Sequence, residues 1–459
     1  MDALLRSLPK VDECLKDPLF SHAKSRILKP IIQEKIQNLR ELILAGKLQK
    51  IDLPHLKEEI LKTYTQQTQS SIRSLINATG VVLQTNLGRS LIHPKILEEI
   101  APLLCSYNNL EYDTKTGKRS ERYIHLKRLL CTLLQCEDIL VVNNNASAVL
   151  LILNTFAKDR EVLISRGELV EIGGAFRIPE VMKLSGSHLV EVGTTNKTYL
   201  SDYEEAITAQ SALLMKAHQS NFKQLGFCAS VDFKDLSLLA QKHNLIDYYD
   251  LGSGYMQGLQ VKDEPSILEL CSYSPSLLSF SGDKLFGGPQ AGIIVGKSQL
   301  IAKLKKNHLL RALRVDKFTI LALEATLRAY LSEEFDKIPT LAFLNTPLEI
   351  LHQKAQALLS LLKHSLPSLV SCLEEVHSLA GGGSLPQTTF QSYAVLCHSQ
   401  EFKTSALEQK LRENGLVARI TQDKICLDVR CLLEEDFEKI PQIFQTSLLD
   451  LKAEQNETK

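Results

Sequence analysis

Four features that would place this chain in other functional classes are absent from its sequence. Its 459 residues include 53 basic and 53 acidic side chains, so the formal net charge is zero and no global basic field attracts nucleic acid. The ten cysteines form no CxxC motif, and no run approaches the roughly 18 apolar residues of a membrane span. The first residues lack an apolar stretch long enough for export. We therefore expect a cytoplasmic protein with reduced thiols.

The sequence does contain a lysine placed between a short apolar strand and a glycine-rich turn. Lys284 follows a strand predicted over residues 277–280, and the chain returns as a second strand over residues 293–295. A lysine at a strand edge is partly desolvated, which lowers its pKa and makes its amine nucleophilic. The glycines between the strands let the backbone approach a flat ligand. The pattern predicts an aldehyde cofactor held as a Schiff base, with pyridoxal 5'-phosphate as the leading candidate. The alternative is a surface lysine in a hairpin.

A carboxylate suited to the same cofactor lies 34 residues upstream. The strand predicted over residues 246–249 ends at Asp250, and a glycine turn follows. A carboxylate at that edge can keep a pyridine nitrogen protonated, so that the ring withdraws electrons from a substrate carbanion. Asp247 is a second candidate, but Asp250 is preferred because it directly precedes the turn. Its alternative role is to cap the turn backbone.

A phosphate site is predicted where a strand leads into a helix. The strand covers residues 139–142, and the apolar helical run covers residues 148–156. Free N–H groups and the positive end of the helix dipole favour an anion at the turn between them. The candidate phosphate-binding residues are Asn145, Ala146 and Ser147, although Asn145 or Ser147 fits a plain N-cap equally well.

Two further positions are candidates for cofactor contacts. Ser281, or Ser279 on the same strand, can add a hydroxyl to the phosphate. His218 ends the strand predicted over residues 212–217, where it would lie against the cofactor ring. A histidine satisfied within the core is the alternative for His218.

The chain is expected to contain three domains. Residues 1–70 carry apolar positions at helical spacing. Residues 1–75 have 13 basic and 9 acidic side chains, a local charge of +4, which indicates either a basic module or an ordinary solvated face. The polar stretch 63–70 is the predicted linker. Residues 71–335 alternate strands and helices, which predicts an α/β catalytic domain with a mostly parallel sheet. Residues 336–459 form a smaller α+β domain, with a tight glycine loop at residues 381–383.

Several longer motifs together resemble one family nearly end to end. They are residues 8–12 (LPKVD), 76–89 (INATGVVLQTNLGR), 109–113 (NLEYD), 165–174 (SRGELVEIGG), 192–198 (VGTTNKT), 250–254 (DLGSG), 281–292 (SGDKLFGGPQAG) and 311–317 (RALRVDK). The sequence resembles the bacterial L-seryl-tRNA(Sec) selenium transferases. The resemblance implies a fold-type-I pyridoxal phosphate enzyme with Lys284 as the Schiff-base lysine. It also implies a homo-oligomeric ring of dimers, a decamer, whose N-terminal helical domains grip tRNA.

The resemblance also implies a reaction and a second set of site residues. Serine esterified to tRNA would displace Lys284 from the cofactor, and the freed lysine would remove the α-proton. Asp250 would hold the pyridinium, the β-hydroxyl would leave, and selenide from selenophosphate would add to dehydroalanyl-tRNA.

The resemblance also implies where the phosphate-like anion of the selenium donor binds. Arg89, Arg311 and Arg314 match the positions that bind this anion in the family. The last two are three residues apart and would share a helix face; the alternative is a basic surface stripe. Arg119 and Arg122 lie in a stretch that departs from the family pattern, and their role is open.

Two competing functions remain at this point. A pyridoxal phosphate ammonia lyase acting on a small phosphorylated amino acid or amino sugar acid would use the same lysine, aspartate and arginines. A small-molecule lyase has no need of a basic helical module, so the presence of residues 1–70 favours the tRNA enzyme. A non-catalytic tRNA-binding scaffold is disfavoured, because Asp250, Lys284 and the glycine turns are intact.

Overall fold

The computed structural model describes residues 2–172, 176–259, 261 and 264–457, so the last two residues of the motif 165–174 lie outside the described part. The chain divides into two compact units, Met1–Ser74 and Leu75–Lys459. The helices of the first unit are α1 (Asp2–Arg6), α2 (Val11–Leu15), α3 (Ser25–Leu44) and α4 (Leu53–Thr68). None of the described helices is long and apolar enough to cross a membrane.

The first unit has its own small core between α3 and α4. Leu28, Ile32 and Ile36 lie one turn apart on α3 and pack with Leu56 and Ile60 of α4. This is the apolar stripe that helical spacing predicts.

The linker predicted at residues 63–70 is wrong for most of its length, because α4 continues to Thr68. The Thr63 and Thr68 hydroxyls donate to carbonyls four residues back, which satisfies these polar side chains within the helix. Tyr64 packs on the core, and its hydroxyl accepts from the Lys24 backbone N–H at 2.8 Å. The polar composition of this stretch therefore belongs to a helix face.

The second unit combines two sheets with surrounding helices. Its helices are α5 (Pro94–Leu104), α6 (Ile124–Leu134), α7 (Asn145–Phe156), α8 (Ile178–Ser185), α9 (Leu200–Ala206), α10 (Phe233–Lys242), α11 (Ile267–Ser272), α12 (Ser298–Lys306), α13 (Leu310–Leu313), α14 (Lys317–Leu331), α15 (Pro339–Asn345), α16 (Leu348–Ser365), α17 (Thr404–Glu413) and α18 (Asp436–Glu457). Its strands are β1 (Ile76–Ala78), β2 (Tyr112–Asp113), β3 (Lys118–Arg119), β4 (Asp138–Val142), β5 (Glu161–Ser165), β6 (Glu171–Ile172), β7 (Phe176–Arg177), β8 (His188–Val192), β9 (Ser211–Ala217), β10 (Ile246–Gly252), β11 (Leu277–Ser281), β12 (Gly292–Gly296), β13 (Leu369–Gly381), β14 (Ser384–Ser399), β15 (Leu416–Thr421) and β16 (Lys424–Asp428).

The central sheet is mostly parallel, as the alternation of strands and helices predicts. Its strand order is β4-β12-β11-β10-β9-β5-β8, and only β12 runs antiparallel to its neighbours. Strands β4, β11 and β12 are buried along their whole length, as expected when helices cover both faces of a sheet. Since the other strands are parallel, the carboxyl ends of β4, β9, β10 and β11 lie at one edge of the sheet. Every predicted cofactor residue lies within two residues of the end of one of these four strands or in the segment that follows it.

The second sheet has the order β1-β15-β16-β14-β13 and packs against α16, α17 and α18. The glycine loop 381–383 turns between β13 and β14, with positive φ at all three glycines. Ile76–Ala78, which the sequence analysis assigns to the large catalytic domain, instead pairs with β15 in parallel register. The second sheet is therefore built from both ends of the Leu75–Lys459 unit.

Candidate active site

The lysine and the aspartate lie on neighbouring strand ends. Strands β10 and β11 pair in parallel, with Asp250 opposite Ser279, and Lys284 follows three residues after β11. The turns beyond the two strands also touch, because the Leu285 N–H donates to the Ser253 carbonyl at 3.0 Å. Gly254 has φ +72, and a Cβ there would lie 2.5 Å from the Ser281 carbonyl, so only glycine allows this approach.

Burial shifts the pKa values of both groups toward their neutral forms, which favours the lysine as a nucleophile and is opposed at the aspartate by its hydrogen bond and by the lysine charge. Lys284 is 8% exposed, and loss of solvation lowers its pKa, while the negative charges of Asp250 and Asp283 act in the opposite direction. Burial raises the pKa of Asp250 to about 6, opposed chiefly by a hydrogen bond from Asn145 and by the Lys284 charge. A lysine with a lowered pKa has more neutral amine at neutral pH, so it can act as a nucleophile and as a base.

The N-terminus of α7 lies at the same edge but is capped differently from the prediction. Asn144, not Asn145 or Ser147, is the N-cap, and its Oδ1 accepts from the Ser147 N–H at 2.9 Å. Within the described part of the chain, the backbone N–H groups of Asn145 and Ala146 donate to nothing. Two donors, rather than the three predicted, are therefore free to bind an anion at the positive end of the helix.

Asn145 has a role that the sequence analysis missed. Its Nδ2 donates to Asp250 Oδ1 at 2.6 Å, which joins the α7 N-terminus, after β4, to the carboxylate on β10, three strands away in the sheet. Its Oδ1 is buried and has no hydrogen-bond partner among the described residues. A buried, unpaired amide oxygen costs free energy unless a ligand satisfies it. Asn145 therefore orients Asp250 with one amide atom and presents the other to the site.

His218 and Ser281 complete the cluster. The His218 backbone N–H donates to the Asp250 carbonyl at 2.9 Å, and its Nε2 lies 3.3 Å from Glu264 Oε1. Ser281 ends β11 and is buried. Ser279 is not available to a ligand, because its hydroxyl is fully buried and shares a hydrogen bond of 2.7 Å with Tyr248.

The three arginines predicted to bind the anion of the selenium donor lie in different surroundings. Arg89 forms an ion pair of 2.7 Å with Asp283, the residue that directly precedes Lys284. The backbone of Arg314 forms an isolated antiparallel β-bridge with Val142. This bridge brings Arg314 next to the segment that leads into α7. Arg311 is exposed on α13. The predicted shared helix face of Arg311 and Arg314 is wrong, because α13 ends at Leu313 and Arg314 is extended, with ψ 130°.

The open question of Arg119 and Arg122 has a structural answer. Arg122 donates to Glu111 and, through Nη1, to the Val315 carbonyl at 2.6 Å, so it braces the backbone that carries Arg314. Hydrogen bonding to Arg122 lowers the pKa of Glu111, whose Oε1 is also 3.8 Å from Arg314. The Arg119 side chain is 73% exposed and contacts the other Glu111 oxygen.

These residues fit pyridoxal 5'-phosphate. A buried lysine of lowered pKa, a carboxylate for the pyridine nitrogen and a helix N-terminus with two unused N–H groups meet at one sheet edge. The unpaired Asn145 oxygen is the structural sign that this edge is built for a polar ligand.

The comparisons with known proteins agree. The family profile of L-seryl-tRNA selenium transferase matches residues 75–433. The chain belongs to this family. It is similar to the L-seryl-tRNA(Sec) selenium transferases of Helicobacter hepaticus, with 55% identity, and of Wolinella succinogenes, with 51% identity; each match covers 96% of this chain and 98% of the relative.

Among solved structures, a D-glucosaminate-6-phosphate ammonia-lyase has the same fold. The TM-score is 0.57 at 18% identity, over 84% of this chain and 98% of the other. The predicted fold class is confirmed: the chain is a fold-type-I pyridoxal phosphate enzyme with a mostly parallel central sheet.

Proposed function

We propose that this chain converts L-seryl-tRNA(Sec) to L-selenocysteinyl-tRNA(Sec) by pyridoxal phosphate-dependent β-elimination followed by selenium addition from selenophosphate. The observation that carries the proposal is the contact between the turns that hold Asp250 and Lys284. The relatives that match 96% of this chain at 51–55% identity are named L-seryl-tRNA(Sec) selenium transferase. When bound, the cofactor supplies an electron sink for the carbanion at the substrate α-carbon.

The chain's own residues have distinct roles in this proposal. Lys284, with its lowered pKa, takes the α-proton at its amine nitrogen. Asp250 holds the pyridine nitrogen in its protonated form, and Asn145 fixes the orientation of that carboxylate. Arg89 and Arg314, with Arg311, bind the anion of the selenium donor through guanidinium forks, which suit phosphate oxygens.

We assign tRNA binding to the first unit. The local charge of residues 1–75 is +4 in a chain of zero net charge, and exposed basic side chains lie on or next to α3 at Lys24, Arg26, Lys29 and Arg40. Because the transferase matches cover 96% of the chain, they necessarily extend into this unit of 74 residues. We further propose a cytoplasmic homo-oligomer, a ring of dimers.

The N-terminal unit favours the transferase over the small-molecule lyase. The ammonia-lyase match covers 84% of this chain, a share that the Leu75–Lys459 unit alone would fill. The N-terminal unit is therefore the feature that separates the two functions.

The test is conversion of seryl-tRNA(Sec) by the purified protein supplied with selenophosphate. We expect selenocysteinyl-tRNA from the wild type and none from Lys284→Ala, with free serine and ordinary seryl-tRNA as substrate controls. Turnover of a small phosphorylated amino compound without turnover of seryl-tRNA(Sec) would replace the proposal with the lyase.

A further inference from the structure

A cavity of about 280 Å³ lies beside the cofactor residues and shares His218 and Glu264 with the site described above. Its walls come from the end of β9, from the segments after β5, β8, β9 and β10, and from the start of β14. They include Glu168, Lys216, His218, Gln219, Glu264 and Gln387. The cavity wall adjoins the cofactor residues at His218. His218 in its wall donates its backbone N–H to Asp250, and the charge of Glu264 acts on the pKa of Lys284.

The hydrogen-bond donors in the cavity wall are largely used by the protein itself. Lys216 Nζ donates to Glu168 and to the Val231 carbonyl, both at 2.8 Å. The amide NH₂ groups of Gln219 and Gln224 donate to backbone carbonyls at 2.7 and 2.6 Å. The amide oxygens remain, so the wall presents acceptors to any ligand.

Glu264 is the strongest of these acceptors. It is 7% exposed, and its Oε1 has no hydrogen-bond partner among the described residues although His218 Nε2 lies 3.3 Å away. A buried carboxylate oxygen without a hydrogen bond is costly unless a ligand donates to it. Hydroxyl groups of a ribose are suitable donors, and acidic side chains bind ribose hydroxyls in this way in dinucleotide sites.

Covalent geometry then limits what can occupy the cavity. In an aminoacyl ester the α-carbon is separated from the ribose oxygen by the carbonyl carbon alone. If Lys284 removes the α-proton, the ribose must lie within a few bond lengths of that lysine. The cavity shares His218 with the strand edge that carries Asp250, and it presents acceptors, which makes it the candidate for this ribose.

We propose that this cavity binds the 3'-terminal ribose of the aminoacylated RNA, with Glu264 accepting a hydrogen bond from the hydroxyl that does not carry the serine. This inference rests on the proposed function and adds a specificity-determining residue to it. Glu264 selects serine esterified to a ribonucleotide, because free serine and its simple esters have no vicinal hydroxyl to donate.

The experiment compares two substrates on three proteins. The substrates are seryl-tRNA(Sec) ending in adenosine and the same RNA ending in 2'-deoxyadenosine with serine on the 3'-oxygen. The proteins are the wild type, Glu264→Gln, and Glu269→Gln as the matched control, since Glu269 is exposed on α11 and accepts from Tyr273. The readout is single-turnover kcat/KM for loss of the serine hydroxyl, with cofactor absorbance and Tm as checks of folding.

We expect the wild type and Glu269→Gln to lose about tenfold to a hundredfold in kcat/KM on the 2'-deoxy substrate, the usual effect of a hydrogen bond to a charged group. Glu264→Gln keeps a neutral acceptor, whose hydrogen bond is weaker than that of a carboxylate, so its discrimination between the two substrates should be at least about threefold smaller than that of the wild type. For each protein, the ratio of kcat/KM on the adenosine substrate to kcat/KM on the 2'-deoxy substrate is calculated. Comparing this ratio between the wild type and Glu264→Gln removes any effect of the deoxy sugar on the ester itself.

Two results would overturn this inference and leave the proposed function standing: equal use of both substrates by the wild type, or unchanged discrimination in a folded Glu264→Gln. The first result overturns the inference even if Glu264→Gln does not fold. A wild type that converts neither RNA would refute the proposed function, and the inference with it.

Discussion

Removal of the Asn145 amide is expected to move the acid limb of the pH–activity profile upward. Asn145 Nδ2 donates to Asp250 Oδ1 at 2.6 Å, and this hydrogen bond opposes the burial that raises the Asp250 pKa to about 6. A hydrogen bond to a charged acceptor contributes about 1.5–3 kcal/mol. At about 1.36 kcal/mol per pKa unit, Asn145→Ala should raise the Asp250 pKa by about 1–2 units.

The sign of the effect follows from which form of Asp250 is active. The cofactor nitrogen needs the carboxylate, and the carboxylate is lost as pH falls through the pKa. With a pKa of about 7–8, the variant has from about half to a tenth of Asp250 ionised at pH 7, so kcat should fall about two- to tenfold there. Activity should recover near pH 9, where Asp250 is ionised in both proteins.

The assay is the pH dependence of seryl-tRNA turnover at saturating cofactor. The control is Asn154→Ala on the same helix, because Asn154 Nδ2 donates to the Ser185 carbonyl at 3.1 Å and its loss affects stability without touching Asp250. An acid limb that stays in place in cofactor-loaded Asn145→Ala would contradict the assigned role of Asn145. A limb that moves equally in Asn154→Ala would show a general effect of destabilisation.

Three further changes test other parts of the site. Lys284→Ala should still bind cofactor at the α7 N-terminus but lose turnover, and borohydride should attach the cofactor of the wild type to the peptide containing Lys284; attachment elsewhere would refute the assignment. A variant that starts at Leu75 should keep its cofactor, and its tRNA(Sec) affinity should fall and become less salt-dependent; unchanged affinity would favour the lyase. Arg314→Lys should still form dehydroalanyl-tRNA, trappable by a thiol, but use selenophosphate poorly, whereas Arg119→Lys should not; a variant unable to eliminate the hydroxyl would place Arg314 in substrate positioning.

The elements that position the site could be predicted from sequence because their signals are local. The buried strands β4, β10, β11 and β12 are short apolar runs bounded by glycine or polar turns, and the structure confirms each of them with small extensions. Parallel strands bring their carboxyl ends to one edge, so the grouping of Asp250 and Lys284 follows from topology alone.

The individual roles of side chains could not be predicted in the same way. Asn144 and Asn145 are adjacent and chemically identical, and only the helix start decides that one caps α7 while the other reaches Asp250. Likewise, α13 ends one residue before Arg314, so a spacing of three residues did not give a shared face. Local spacing predicts a face only while the helix continues, and its end depends here on backbone pairing between Arg314 and Val142.

Glu264 shows why the remaining part of the site had no sequence signal. It lies 14 residues beyond Asp250 in a polar stretch, where a glutamate is most often an exposed, solvated residue. Its burial and its distance of 3.3 Å from His218 arise from the packing of the segment after β10 against the end of β9. Such contacts join segments about 45 residues apart, and no periodicity encodes them. A buried carboxylate oxygen that has no hydrogen-bond partner among the described residues is, for that reason, a stronger sign of a ligand than any motif around it.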